Sequence, residues 1–175
     1  MRRVVAWNGE LRGTLPMIHP TGEAPCGVLP LGRGLLVPSW SDHRIDFFLL
    51  RRDGASFSAD RMALIQGGRY FRPGCIASAA GAQGGSGRKR AWYLTDWVDG
   101  RYQAHGFGRL WKLEIDLNKA DWVGTLEPEP PTDKARLAIG LRSEDTTHER
   151  SHLLQLAKDE DPFLARSALL ALSRE

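Results

Sequence analysis

The chain contains an imperfect internal repeat, whose two copies are offset by about 50 residues. Each copy begins with proline and small residues, continues into an apolar strand, and turns at a Trp-x-Asp sequence before a second apolar strand. The two Trp-x-Asp sequences occupy residues 40–42 and 97–99. A period of this length built from short strands is typical of the blades of a β-propeller. Two blades cannot close a ring, so we expect an open structure that is mainly β.

Composition divides the chain into a β part, a linker and a helical part. Residues 1–126 predict a partial β-propeller, with blade copies at residues 25–68 and 70–115. The linker at residues 127–132 is rich in proline, which interrupts both helices and sheets. In residues 133–175, leucine and alanine recur at helical spacing, which predicts a pair of antiparallel helices that form a repeat-like hairpin.

Local signals predict where the strands, turns and caps lie. Residues 45–50 form a largely apolar run, as expected for a strand covered on both faces. The Asp53-Gly54 pair predicts a hairpin turn, because glycine tolerates a positive φ. Asp161 is the expected N-cap of the last helix and Pro162 its first residue. Further strands are predicted at residues 28–31, 35–37, 62–66, 76–80, 92–95 and 110–115.

Several classes of protein are disfavoured by the composition. No apolar run is long enough to span a bilayer, and the first residues lack the apolar region of a signal peptide. Basic residues 88–90 end a loop of small residues at 81–87, so we expect a solvated hairpin rather than a nucleic-acid surface. Cys26 and Cys75 occupy similar places in the two copies and lack metal or haem-attachment spacing. They are expected to be small core residues, or a pair if adjacent blades bring them close.

An ordered set of motifs carries a resemblance to a known family. The motifs are Trp40-Ser-Asp-His-Arg-Ile45, Gly54-Ala-Ser-Phe57, Phe71-Arg-Pro73, Tyr93-Leu-Thr-Asp-Trp-Val-Asp99 and Tyr102-Gln-Ala-His-Gly-Phe-Gly-Arg-Leu-Trp111. In this order they resemble the last blades of bacterial sorbosone/glucose-dehydrogenase-type propellers, the quinoprotein "membrane-bound dehydrogenase" group. In that family HEAT repeats follow the propeller, often with a cytochrome c domain, and residues 153–172 look like one HEAT repeat. The resemblance therefore predicts two propeller blades and a HEAT-like helical hairpin.

The chain departs from the family in several respects. Such propellers have about six blades where this sequence supplies about two. There is no Cys-x-x-Cys-His haem-attachment motif, and the family is usually exported although no signal peptide is found here. Residues 81–90 replace the short turn that the family has before its Tyr-Leu-Thr-Asp-Trp strand. A truncated or split reading frame is the simplest explanation, and the sequence leaves the cellular location open.

The resemblance implies a pyrroloquinoline quinone (PQQ) at the propeller mouth, with arginines on its carboxylates and a histidine as base. A histidine suits proton transfer because its pKa lies near working pH. An arginine suits carboxylates because its guanidinium binds them in a bidentate manner. The candidate catalytic residues are His105 as the base and Asp96. The candidate cofactor-binding residues are His43, Arg44, Arg101 and Arg109.

Each candidate also has a structural interpretation. Asp42 and Asp99 are expected to accept backbone N–H bonds in turns. Asp96 could pair with either Arg101 or Arg109. Three tryptophans are expected in the blade core rather than at a sugar platform: Trp40, Trp97 and Trp111. The two histidines at 148 and 152 are expected to lie on a solvated helix, without a third metal ligand.

Three functions follow as hypotheses. The first is a fragment or remnant of a sugar or alcohol dehydrogenase-like propeller without independent catalysis. The second is an oxidoreductase half that assembles with a separately encoded propeller part and oxidises CH–OH groups with PQQ. The third is a non-enzymatic interaction module that docks through its helical tail. Open sheet edges should also drive self-association or pairing with missing blades.

Overall fold

The computed structural model describes residues 15, 17–78, 89–120, 129–143 and 148–174. They form two antiparallel sheets of four and three strands, followed by three short helices. Within the described residues the sheets do not close into a ring, so the predicted open, mainly β structure is confirmed at this level. The loop at 81–87 and residues 127–128 of the predicted linker lie outside the described residues.

The first sheet is a meander in which each strand pairs with the next along the chain. Its strands are β1 (Leu29–Leu31), β2 (Gly34–Ser39), β3 (Arg44–Asp53) and β4 (Ser56–Gln66). Gly54 turns the chain between β3 and β4 with a φ of 55°, which confirms the predicted turn. β4 begins six residues before the predicted position. The hairpin turn extends the strand pairing into residues 56–61, whose polar composition gives no strand signal in the sequence.

The second sheet contains β5 (Pro73–Ser78), β6 (Lys89–Asp96) and β7 (Arg109–Asp116) in sequence order. In its register Leu94 lies opposite Ile76 on β5 and Trp111 on β7. β6 alternates buried and exposed side chains, with Trp92 and Leu94 facing inwards. β7 follows the predicted alternation only in part, because it is an end strand of its sheet and most of its side chains are exposed.

Both sheets contribute to one hydrophobic core. The buried members are Leu31, Leu36, Ile45, Phe47, Ile76, Trp92, Leu94 and Ala120. The prediction of a core position is wrong for Trp97 and Trp111, which are 38% and 40% exposed, and Trp40 is only half-buried. Trp92 is the core tryptophan instead, because the pleat of β6 points it inwards, whereas Trp97 follows the end of that strand. Cys26 and Cys75 are exposed, so the core prediction is wrong for them as well.

The chain divides into two compact units. The first, here called the sheet unit, comprises residues 21–50 and 59–128. The second, the helix unit, combines the three helices with residues 51–58, which form the tip of the β3–β4 hairpin. None of the described helices is long and apolar enough to cross a membrane.

The helix unit contains α1 (Asp133–Gly140), α2 (Arg150–Leu156) and α3 (Pro162–Leu172). Asp161 caps α3 by accepting hydrogen bonds from the Phe163 and Leu164 amides at 2.9 and 3.2 Å, and Pro162 opens the helix as predicted. The helices bury a small core of their own: Ala138, Leu141, Leu153, Leu164 and Ala168. The described residues of this region contain three helices where two were predicted, since α1 precedes the expected pair.

The hairpin tip is held to the helices by polar contacts within the helix unit. The second oxygen of Asp161 accepts a hydrogen bond from the Ala55 amide at 2.7 Å, and Thr132 Oγ1 donates to the Gly54 carbonyl. A Cβ at residue 54 would lie 2.1 Å from Asp161 Oδ2. Glycine is thus required at this turn both by its positive φ and by the close carboxylate.

Candidate functional site

Three connections of the sheet unit converge at one end of the two sheets, here called the loop end. They are the β2–β3 turn (40–43), the β4–β5 connection (67–72) and the β6–β7 loop (97–108). The Trp40 ring stacks on the Tyr102 ring with centroids 5.5 Å apart. The Arg72 guanidinium lies 4.3 Å from the centre of the Trp40 ring, and the Arg72 carbonyl accepts the Trp97 amide at 2.9 Å. Arg72 therefore joins all three connections.

Asp96, the candidate catalytic carboxylate, is the last residue of β6, and its side chain is fully buried. Its Oδ1 accepts backbone amides from Arg72 at 2.8 Å and from Val98 at 2.9 Å. Its Oδ2 accepts hydrogen bonds from Arg109 Nε at 3.1 Å and from Trp111 Nε1 at 2.9 Å, and it forms an ion pair with Arg109 Nη2 at 2.9 Å. Of the two predicted partners, the structure selects Arg109. Both carboxylate oxygens are thus occupied by groups that organise the loop end.

The carboxylate also accommodates an unusual backbone conformation beside it. Val98 has a φ of 73°, which is strongly disfavoured for a β-branched residue. Its amide donates to Asp96, so this hydrogen bond offsets part of the local strain. His43, in the β2–β3 turn, also has a positive φ, of 57°. Strained turns at the loop end are therefore held by specific polar contacts.

His105, the candidate base, lies in an aromatic stack. Its ring is 4.9 Å from the Trp97 ring in an edge arrangement and 5.4 Å from the Phe107 ring in a stacked one. Nδ1 accepts the Phe107 amide at 3.0 Å, so the proton of the neutral imidazole is assigned to Nε2. Nε2 is buried without a hydrogen-bond partner in the described part of the chain. In this arrangement the free nitrogen is a donor rather than a base.

The candidate cofactor ligands at the β2–β3 turn make internal contacts. His43 Nδ1 lies 2.8 Å from the Phe71 carbonyl, to which it donates. Arg44 forms ion pairs with Asp42 at 3.3 Å and with Asp46 at 3.0 Å. Its guanidinium is therefore already paired with two carboxylates.

Asp42 and Asp99 accept the backbone amides expected of turn carboxylates, from Glu23 at 2.7 Å and Arg101 at 3.3 Å respectively. The pKa of Asp42 is lowered, first by the Ser39 hydroxyl that donates to it at 2.6 Å and then by the Glu23 amide and nearby arginines. Arg101 pairs with Asp99 at 2.7 Å, and its hydrogen bond is the main cause of the lowered pKa of Asp99. Arg101 thus neutralises a loop carboxylate.

Two residues that organise this end were missed by sequence reasoning. Asp46 is 1% exposed on β3 and pairs with Arg44 and, at 3.2 Å, with Arg61. A charged residue inside an otherwise apolar run was the signal that could have identified it. Arg72 carries no such signal, because its role depends on three connections that are distant in sequence.

An open groove adjoins the network around Asp96. Its aromatic lining comes from Tyr70, Phe71 and Trp111. The Arg109 guanidinium lies 5.1 Å from the centre of the Trp111 ring, and that of Arg69 lies 4.4 Å from the centre of the Tyr70 ring. The groove therefore combines aromatic faces with cationic groups.

The candidate residues do not fit the cofactor that the resemblance implies. PQQ would need cations free to bind its carboxylates, but three of the four candidates already pair with carboxylates of the chain and the fourth, His43, donates to a backbone carbonyl. The paired candidates are Arg44, Arg101 and Arg109. For metals, the described residues contain no group of three potential ligands, and His148 and His152 are no exception.

Comparison with known proteins leaves the resemblance as a prediction. No family model, no curated protein and no solved structure matches the chain.

Proposed function

We propose that the chain is part of a β-propeller of the quinoprotein sugar-dehydrogenase type, which assembles with further sheet-forming partners and has no catalysis of its own. The observation that carries this proposal is the buried Asp96 carboxylate, whose two oxygens accept four hydrogen bonds from within the chain and form an ion pair with Arg109. A carboxylate held in this way is suited to organising loops, and because its side chain is fully buried a substrate does not reach it. The internal pairing of Arg44 and Arg101 supports the same conclusion.

Assembly through sheet edges is supported by the character of β7. This end strand exposes Leu110 by 67% and Trp111 by 40%. An edge strand offers backbone hydrogen-bonding groups to another strand, and proteins that keep such edges free usually protect them with charge. Lys112 and Glu114 give β7 some exposed charge, but Leu110 and Trp111 near its start favour a partner that covers them, either a further blade or a second copy.

A cofactor titration tests the absence of independent catalysis. The purified chain is titrated with PQQ and followed by absorbance, and reduction of a phenazine dye is then measured with a panel of sugars and alcohols. We expect neither saturable binding nor turnover at micromolar PQQ. Tight stoichiometric binding together with sugar-dependent dye reduction would overturn the proposal. Any dye reduction that is observed is compared between Asp99→Ala and Asp96→Asn, because only the second substitution alters the buried network.

A second candidate function is an oxidoreductase half that becomes active with a separately encoded part. It is favoured by two buried nitrogens at the loop end, His105 Nε2 and Arg72 Nε, which have no hydrogen-bond partner among the described residues. Buried polar groups normally have partners, so a complementing chain or ligand would supply them. Mixing the chain with the product of a neighbouring gene should then produce turnover that His105→Gln reduces.

The helix unit supports a third candidate, a protein-binding module related to a HEAT repeat. Its helices leave large apolar side chains exposed: Ile139, Leu154, Leu169 and Leu170. A single helical repeat relies on neighbours to bury such a surface. Ile139→Lys should weaken association if partners bind through the helices.

A further inference from the structure

The sheet unit brings its two cysteines into neighbouring segments. Cys75 lies on β5, and its Sγ is 3.5 Å from the carbonyl oxygen of Cys26, which precedes β1. A Cβ built on Gly27 would lie 3.6 Å from the Cys75 Cα, so the Cα atoms of residues 27 and 75 are within about 5 Å. Disulfide-bonded residues have Cα atoms roughly 4.4–6.8 Å apart, and the two segments run at this spacing.

Both thiols are accessible to reagents in solution. Cys26 and Cys75 are free and exposed. The segment that carries Cys26 is held to β2 by the Cys26 amide, which donates to the Pro38 carbonyl at 3.1 Å, and by an isolated bridge between Pro25 and Ser39. Further hydrogen bonds anchor the same segment, from the Trp40 amide to the Ala24 carbonyl and from the Ser39 hydroxyl to the Glu23 carbonyl, so rotation of the two cysteine side chains is the movement that would bring the sulfurs together.

The Cys26 thiol ionises less readily than an ordinary cysteine thiol. The pKa of Cys26 is raised although the residue as a whole is exposed. The main cause is partial burial of its sulfur, and the second is the nearby Cys75 thiol. The thiol of Cys26 also donates to the Ala24 carbonyl at 3.2 Å. Since the thiolate is the nucleophile, Cys26 is a slow attacking group at neutral pH.

We propose that Cys26 and Cys75 form a redox-active pair, which a low-molecular-weight disulfide converts into an intramolecular disulfide joining the segment before β1 to β5. The Cys75 thiolate attacks one sulfur of oxidised glutathione, forms a mixed disulfide and releases one glutathione thiolate. Cys26 then loses its proton and attacks the Cys75 sulfur, which forms the internal bond and releases the second glutathione. The protein gives up two protons and two electrons, and the glutathione disulfide takes up both pairs as two thiols.

The bond would tie the two sheets together. Cys26 lies on the side of the first sheet and Cys75 within the second, and 49 positions separate them. Closing a loop of this length restricts the unfolded chain, so oxidation should raise the melting temperature by on the order of 10 °C. This inference is independent of the proposed function, because neither cysteine belongs to the loop end.

The test uses the full chain, reduced and then incubated with oxidised glutathione at pH 7.5. Intact-mass spectrometry should show a monomer lighter by about 2 Da, the mass of two hydrogens, without retained glutathione. The melting temperature should rise and return on addition of dithiothreitol. Cys26→Ser should trap glutathione on Cys75 quickly, whereas Cys75→Ser should trap it on Cys26 slowly. Both serine variants should melt at the temperature of the reduced chain, and incubation with glutathione disulfide should not raise that temperature.

Two results would overturn the inference. One is a wild-type chain that carries glutathione stably on both cysteines, which would mean that the sulfurs do not meet. The other is oxidation that yields only disulfide-linked dimers on a non-reducing gel.

Discussion

Asp96→Ala should be among the most destabilising substitutions in the sheet unit. The change leaves three N–H donors of the loop end without their acceptor: the Arg72 amide, the Val98 amide and Trp111 Nε1. Each hydrogen bond to a buried charged group contributes about 1.5–3 kcal/mol. Arg109 also loses its ion pair with Asp96, but it still donates to the Tyr70 carbonyl and its side chain is 43% exposed, so water can solvate the guanidinium. Because water also reaches part of the vacated site, we expect a net loss of about 3–5 kcal/mol.

Urea unfolding followed by tryptophan fluorescence measures this loss, since Trp92 lies in the core of the same unit. With a slope of about 2 kcal/mol per molar urea, a loss of about 4 kcal/mol lowers the midpoint by about 2 M. The matched control is Asp99→Ala, which removes an exposed loop pair with Arg101 and should leave the midpoint unchanged. If Asp96→Ala shifts the midpoint no more than the control does, Asp96 is not a structural centre of the loop end.

Two further substitutions test other parts of the account. Ser39→Ala removes the hydroxyl that donates to Asp42, so carbon-13 NMR should show the pKa of Asp42 rising toward its ordinary value of 3.8. The pKa of Asp42 is lower in the folded chain than in the unfolded chain, so its hydrogen bond with Ser39 stabilises the fold above the unfolded pKa. This stabilisation is lost as pH falls through the folded pKa. An unchanged titration of Asp42 in the Ser39→Ala variant would refute this prediction. Gly54→Ala should destabilise the chain by more than about 1 kcal/mol in thermal unfolding, owing to its positive φ and the nearby Asp161 carboxylate, whereas Gly68→Ala, with open space around it, should not. Equal effects of the two alanines would contradict this explanation.

Features that depend on residues adjacent along the chain could be predicted from the sequence. The turn at Gly54 follows from the φ that glycine allows, and the N-cap at Asp161 follows from its position before Pro162. The apolar run in β3 is correctly predicted as a strand with most of its side chains buried. The meander order of each sheet also agrees with short connections between strands.

The site depends on contacts that local patterns do not encode. The sequence left Arg101 and Arg109 as equal partners for Asp96, and only the pairing of β6 with β7 places Arg109 opposite it. Tryptophan is a residue type that is expected in a core, but Trp97 follows the end of β6 and Trp111 lies on the end strand β7. The position of Arg72 among three connections follows from both sheets together and could not be read from its surroundings in the sequence.

Sedimentation equilibrium of the purified chain at concentrations up to tens of micromolar tests the central claim most directly. If the chain is part of a larger sheet assembly, it should associate with increasing concentration, and Leu110→Lys on the edge strand β7 should weaken that association. Ile139→Lys on α1 is the matched control, because it also places a charge at an exposed apolar position but belongs to the helix unit and not to a sheet. A monodisperse monomer over the whole range, or association that only the α1 substitution weakens, would contradict assembly through the open sheet edge.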